Sequence, residues 1–188
     1  MTWIRSQIPR RIVEDDLELR CYELTDAYAL SDAVATSLLE LEPWMPWANF
    51  EPLSLEERAE LIENWRRDWD KGLEFVMGIF RHGHLVGSSG FHLRGEVGQL
   101  EIGYWVKSES VGEGIATRSS CTLLETAFNL PEVEEVHILH DKANVKSRRV
   151  PEKLGFELLL EQERAPQTSG DSGIACLWSM TRDRWAML

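Results

Sequence analysis

Apolar positions recur along this chain with two periods, and the switches between them mark the elements. Leu17-Glu18-Leu19-Arg20-Cys21-Tyr22 alternates apolar and polar residues, as a half-buried strand does. Thr25 or Asp26 caps an Ala- and Leu-rich helix predicted to reach about Leu41, after which Pro43 and Pro46 end regular structure. Ser54 and Glu57 form a capping box for a second helix that runs to about Lys71 and stops at Gly72. Trp65 and Trp69 lie four apart on that helix and read as packing residues. Strands at 73–80 and 85–93 flank the turn Arg81-His82-Gly83-His84, which leaves both histidines on a solvated tip. A turn at 94–98 leads into a strand at 99–106. Helical spacing resumes with Ile115, Cys121, Leu124 and Phe128. A strand at 133–139, a short helix from Asn144 to Leu154 closed by Gly155, and strands at 156–163 and 174–180 complete the pattern. Residues 1–11 read as a loose arm, and 166–173 as a polar loop. Strands and helices intermix without strict alternation, and no repeat or linker divides the 188 residues. The expectation is one domain with an α+β layered fold and a mixed sheet.

Charge narrows the partners. With 20 Lys and Arg against 32 Asp and Glu, the formal charge is −12. A duplex-binding protein needs a basic face, so nucleic acid is not an expected partner. An acidic surface suits a cationic substrate such as an amine. Cys21, Cys121 and Cys176 are odd in number and far apart, without metal-ligand spacing, and read as reduced thiols of a cytoplasmic protein. No apolar run is long enough for a membrane span, and the basic N-terminal stretch lacks the apolar segment of a signal peptide.

The candidate chemistry centres on residues 103–129. The strand Leu100-Ile102-Tyr104-Val106 enters a polar turn containing Gly112 and Gly114, and a helix follows at once. Such a turn can direct backbone N–H groups inward, and the helix N-terminus adds partial positive charge, which together hold phosphate. No Gly-Lys-Ser/Thr follows, and position 117 is Thr, so neither the Walker nor the dinucleotide fingerprint is met. By itself this reads first as a tight turn feeding a core helix, and only second as a phosphate site. Trp44, Met45 and Trp47 sit in the Pro-rich loop 42–47, where they either plug the edge of the core or wall a substrate pocket. Glu101 interrupts an apolar strand, on the face shared by Gly103 and Trp105. It is either a charge on a solvated sheet face or a buried proton acceptor.

Several motifs combine in order and spacing: Gly103-Tyr104-Trp105, Val111-Gly112-Glu113-Gly114-Ile115-Ala116, Asn144-Val145-Lys146-Ser147, and Glu152-Lys153-Leu154-Gly155-Phe156. With the upstream pair Trp44 and Trp47, the chain from about Leu17 onward resembles the GNAT acetyltransferase superfamily, most closely its RimJ/RimL-like branch. The resemblance implies a three-layer fold whose mostly antiparallel sheet is splayed between its fourth and fifth strands, with acetyl-CoA in the split. It implies transfer of an acetyl group to a primary amine, either a protein N-terminus or a small molecule. It places the cofactor on Val106, on the backbone of Val111, Gly112, Glu113, Gly114, Ile115 and Ala116, and on Asn144 and Ser147, with no metal. Trp44, Trp47 and Trp105 become substrate-binding residues, Glu101 the general base, and Ser147 a donor to the departing thiolate. Asn144 also suits a helix N-cap. Lys107, Arg118, Lys146 and Arg148 are candidates for the 3′-phosphate. Two departures stand out. Val111 replaces the family's Gln or Arg, and Pro151 replaces a common Tyr acid. Both keep open a second reading, a coenzyme A-binding or interaction domain without turnover. Pro151 also cannot donate to the Ser147 carbonyl, which is expected to face the cleft at a kink. Tyr104 is a spare acid on a core-bound face, and His140 reads as structural. Exposed edges of such sheets often pair, which leaves a homodimer open.

Overall fold

The computed structural model describes residues 8–188. Eight strands form one sheet: β1 (Arg11–Glu14), β2 (Leu17–Cys21), β3 (Glu74–Arg81), β4 (His84–His92), β5 (Gln99–Val106), β6 (Glu135–Asp141), β7 (Glu157–Glu163) and β8 (Ile174–Thr181). Their spatial order is β1-β2-β3-β4-β5-β6-β8-β7. Every neighbouring pair is antiparallel except β5 and β6, which run parallel. The mixed, mostly antiparallel sheet is the one the resemblance implied.

Alternation along the strands builds a core on each face. Phe75, Met77 and Ile79 of β3 and Leu100 and Ile102 of β5 are fully buried on one side, against helix α4 (Ile115–Phe128). Burying each such side chain contributes about 1.5–3 kcal/mol. The opposite face packs Val76, Phe80 and Trp105 against helices α1 (Ala27–Ala35) and α3 (Leu55–Lys71). The capping box that starts α3 is formed: Ser54 Oγ accepts from the Glu57 N–H, and Glu57 accepts from the Ser54 N–H. Helix α5 (Val145–Leu154) is N-capped by Asn144, whose Oδ1 accepts from the Ser147 N–H at 3.0 Å.

Three expectations need correction. Of the supposed loose arm, residues 1–7 lie outside the described residues, but Ile8 is buried and Arg11–Glu14 pairs with β2 as an edge strand. Its exposed, charged positions hid the alternation. The helix expected to reach Leu41 breaks after Ala35 and resumes as α2 (Leu38–Leu41). The Thr36 hydroxyl bonds back to the carbonyls of Asp32 and Ala33, which competes with helix continuation. Ser37 is fully buried, and its hydroxyl accepts from the Ser108 N–H. A final short helix, α6 (Arg182–Trp185), has no counterpart in the expected elements. Among the described residues no helix is long and apolar enough to cross a membrane.

Candidate active site

The sheet opens at its centre, between the strands expected as fourth and fifth, which the additional edge strand β1 makes β5 and β6. β5 and β6 pair only at Gln99–Glu135, Leu100–Val136 and Glu101–His137; beyond Glu101 the two strands separate. A cavity of about 690 Å³ lies at this opening. Its walls include Glu101, Gly103 and Trp105 of β5, Trp44 and Trp47 of the Pro-rich loop, and Asn144 and Ser147 of the α5 N-terminus. Residues distant in sequence and singled out there separately therefore converge on one space. The Trp47 and Trp105 rings are 6.1 Å apart, so the tryptophan loop forms a pocket wall. Loop 166–173 fastens that wall: Thr168 Oγ1 and the Gly170 N–H both donate to the Pro43 carbonyl, at 2.6 and 3.1 Å.

Glu101 is largely sheltered, with 13% of its side chain exposed, and accepts from Arg94 at 3.0 Å. The free carbonyl foreseen at Pro151 is present but has a partner. α5 continues through the proline, and the Tyr104 hydroxyl donates to the Ser147 carbonyl at 3.0 Å while lying 3.0 Å from Ser147 Oγ. Tyr104 packs on the core as expected, yet it also lines the cavity. Burial pushes its pKa up to about 12, against a smaller opposing effect of the Ser147 hydrogen bond. The phenol therefore stays protonated and acts as a hydrogen-bond donor. Tyr104→Phe removes this donor, and Pro151 cannot replace it; we expect a loss of about 1–3 kcal/mol in urea unfolding. An unchanged midpoint would contradict the role given to this hydroxyl.

His140 is structural, as read. It donates from Nδ1 to the Asp141 carbonyl at 2.8 Å and accepts from Trp178 Nε1 at 2.8 Å. Burial lowers its pKa. In Asp141 burial works to raise the pKa, but N–H groups of Ala143 and Ser172 and the Ser172 hydroxyl outweigh it and keep the carboxyl ionised.

The Gly112–Gly114 turn lies beyond the far end of β5. Gly112 (φ 92°) and Gly114 (φ 79°) both adopt left-handed conformations, and a Cβ at either would meet nothing within 4 Å. Gly114 precedes α4 without any side-chain cap, so the first N–H groups of a 14-residue helix are free to bind an anion. Val111 is half exposed beside this cradle. Ile115 is buried, and Val106 and Ala116 pack on the core, so these residues offer backbone rather than side chains. Glu113 is ion-paired with Arg81. Of the proposed phosphate cations, Lys107 pairs with Asp32 and Glu109, Arg118 with Asp16, and Arg148 with Glu152; Lys146 is exposed. An open cradle, an uncapped helix and a split sheet fit a pyrophosphate followed by an extended arm.

Two groups in the cavity were missed. Arg58 and Glu51 form a buried pair with contacts of 2.7 and 2.8 Å. Arg58 sits on the buried stripe of α3 with Ile62 and Trp69, and a cation on such a stripe signals a buried partner. The other is His92, at the end of β4.

Comparison with known proteins gives the family and the fold. A family model described as an acetyltransferase (GNAT) domain matches residues 16–157. YdaF of Bacillus subtilis (strain 168), provisionally named a ribosomal N-acetyltransferase, is 31% identical over 154 residues, covering 81% of this chain and 82% of its own. A crystal structure of a probable acetyltransferase, 27% identical, superposes with a TM-score of 0.86 over 93% of this chain and 98% of that one. RimL, a ribosomal L7/L12 α-N-protein acetyltransferase solved with coenzyme A, shares the fold at a TM-score of 0.83 and 22% identity, covering 94% of this chain and 98% of its own. The chain belongs to the GNAT acetyltransferase family.

Proposed function

We propose that this acetyltransferase acetylates a primary amine, the α-amino group of a polypeptide N-terminus before a small-molecule amine, with Glu101 as general base. The observation that carries the reading is the convergence of Glu101, the Ser147–Tyr104 hydroxyls and the tryptophan wall on the opening between β5 and β6. The names of YdaF and RimL support a polypeptide acceptor. Acetyl-CoA supplies a thioester whose carbonyl carbon accepts the amine. Backbone N–H groups from Gly112 to Ala116 hold its pyrophosphate, and Asn144 and Ser147 flank its arm. An incoming ammonium is drawn to Glu101, which accepts a proton as the amine attacks. The Ser147 hydroxyl, next to Tyr104, is placed to hold the departing thiolate. Trp44, Trp47 and Trp105 enclose the acceptor.

Tyr104 supplies the Ser147 carbonyl with the donor that Pro151 lacks, while the side chains absent at Val111 and Pro151 keep the reading without turnover as the alternative that the test decides. The test is calorimetric titration with acetyl-CoA, then release of free thiol with peptides bearing N-terminal serine, alanine or methionine. Binding followed by amine-dependent release is expected. Binding without release across the panel would return the chain to the interaction-domain reading. Gly114→Val provides a control on the cradle. A β-branched residue at φ 79° costs about 1–3 kcal/mol of strain and distorts the turn. Acetyl-CoA affinity should fall at least about tenfold in calorimetry; wild-type affinity would show that the turn does not hold the cofactor.

A further inference from the structure

An ammonium must lose two protons to become an amide nitrogen, and Glu101 takes one. We propose that His92 takes the other, with Glu74 as its positioning residue; the inference rests on the amine-acetylation reading above. The register aligns the three residues. Glu74 of β3 lies directly opposite His92 of β4, and His92 directly opposite Glu101 of β5. Opposite residues of antiparallel strands share a face, with Cβ atoms about 4.5–5.5 Å apart. A carboxylate, an imidazole and a carboxylate thus form a row across three strands, and the last two line the cavity.

His92 Nδ1 bonds to Glu74 Oε2. An ionised carboxylate only accepts, so this bond assigns a proton to Nδ1, and in the neutral ring the lone pair is then on Nε2. Nε2 lies over β5 at Gly103: a Cβ there would come within 2.7 Å of it and 3.2 Å of Cδ2. The ring fits only because residue 103 lacks a side chain. Gly103 lies past the last β5–β6 pair, at the opening where the thioester is expected. His92 keeps a fifth of its side chain exposed, so a proton collected there can return to solvent. Glu101 has one oxygen engaged by Arg94, so the two acceptors are held differently.

The step balances as follows. The ammonium gives one proton to His92 Nε2, and its nitrogen lone pair bonds to the acetyl carbon. Glu101 accepts the second proton from nitrogen, the C–S bond breaks, and the thiolate leaves with the electron pair. The thiolate is protonated from solvent, and His92 and Glu101 release their protons to solvent.

The test uses acetyl-CoA and the same peptides, with thiol release as readout. His92→Ala should lower kcat by about a hundredfold or more while leaving acetyl-CoA affinity unchanged in calorimetry. Added imidazole should restore part of the loss, which a merely structural residue would not show. Glu74→Gln should lower kcat about tenfold with little change in KM for the peptide. Nitrogen-15 spectra of the wild-type ring should show Nδ1 protonated and Nε2 bare, a readout that needs no variant. Wild-type transfer with an equally active His92→Ala variant, or the opposite tautomer, overturns this inference alone. A wild-type protein that binds acetyl-CoA but acetylates none of the peptides overturns the acceptor reading and this inference with it.

Discussion

Glu101→Gln should lower kcat/KM for peptide acetylation about 10²–10⁴-fold, with acetyl-CoA affinity unchanged. Glutamine keeps the size of the side chain and an oxygen that can still accept from Arg94. The negative charge that draws an ammonium and the basic oxygen that takes its proton are both removed. Initial rates over a range of peptide concentrations, with thermal unfolding to show an intact fold, make the measurement. Wild-type kinetics in this variant would reduce Glu101 to a surface partner of Arg94.

The second large effect concerns stability. Glu51 and Arg58 have side chains only 5% and 3% exposed, and the guanidinium also donates to Ser31 Oγ at 3.2 Å. Glu51 further accepts from the Leu53 N–H at 3.1 Å, which ties the pair to the segment behind the tryptophan loop. Arg58→Met leaves a carboxylate buried without its cation, and breaking one partner of such a pair costs about 3–5 kcal/mol. The double variant Glu51→Leu, Arg58→Met removes both charges and should recover much of that loss. Urea unfolding of the two variants gives the comparison. A loss below about 1 kcal/mol in Arg58→Met would show that solvent reaches Glu51 and screens it.

Local signals made most of the fold legible. The capping box at Ser54, the Asn144 cap and the strand, glycine turn and helix at 99–128 all depend on neighbours in sequence, and all are present. The alternation in β5 correctly put Glu101, Gly103 and Trp105 on one face. Features that depend on tertiary partners were less readable. β1 is a charged edge strand with little apolar pattern. The break at Thr36–Ser37 is bonded to Ser108, 71 residues away. Pro151 announced an unpaired carbonyl, but not that Tyr104 would meet it. His92 carried no signal in the sequence, because its relation to Glu74 and Glu101 exists only in the register of three strands. Arg58 did carry a signal, a cation on the apolar stripe of α3, whose partner lies before the helix begins.

In the proposed function, the opening between β5 and β6 transfers an acetyl group to an amine. Mass spectrometry of a peptide with a free N-terminal serine, incubated with acetyl-CoA and the protein, tests it most directly. One acetyl group on the terminal nitrogen, absent from the reaction with Glu101→Gln, is the predicted result. An unmodified peptide, or acetylation that persists undiminished in the variant, would contradict it.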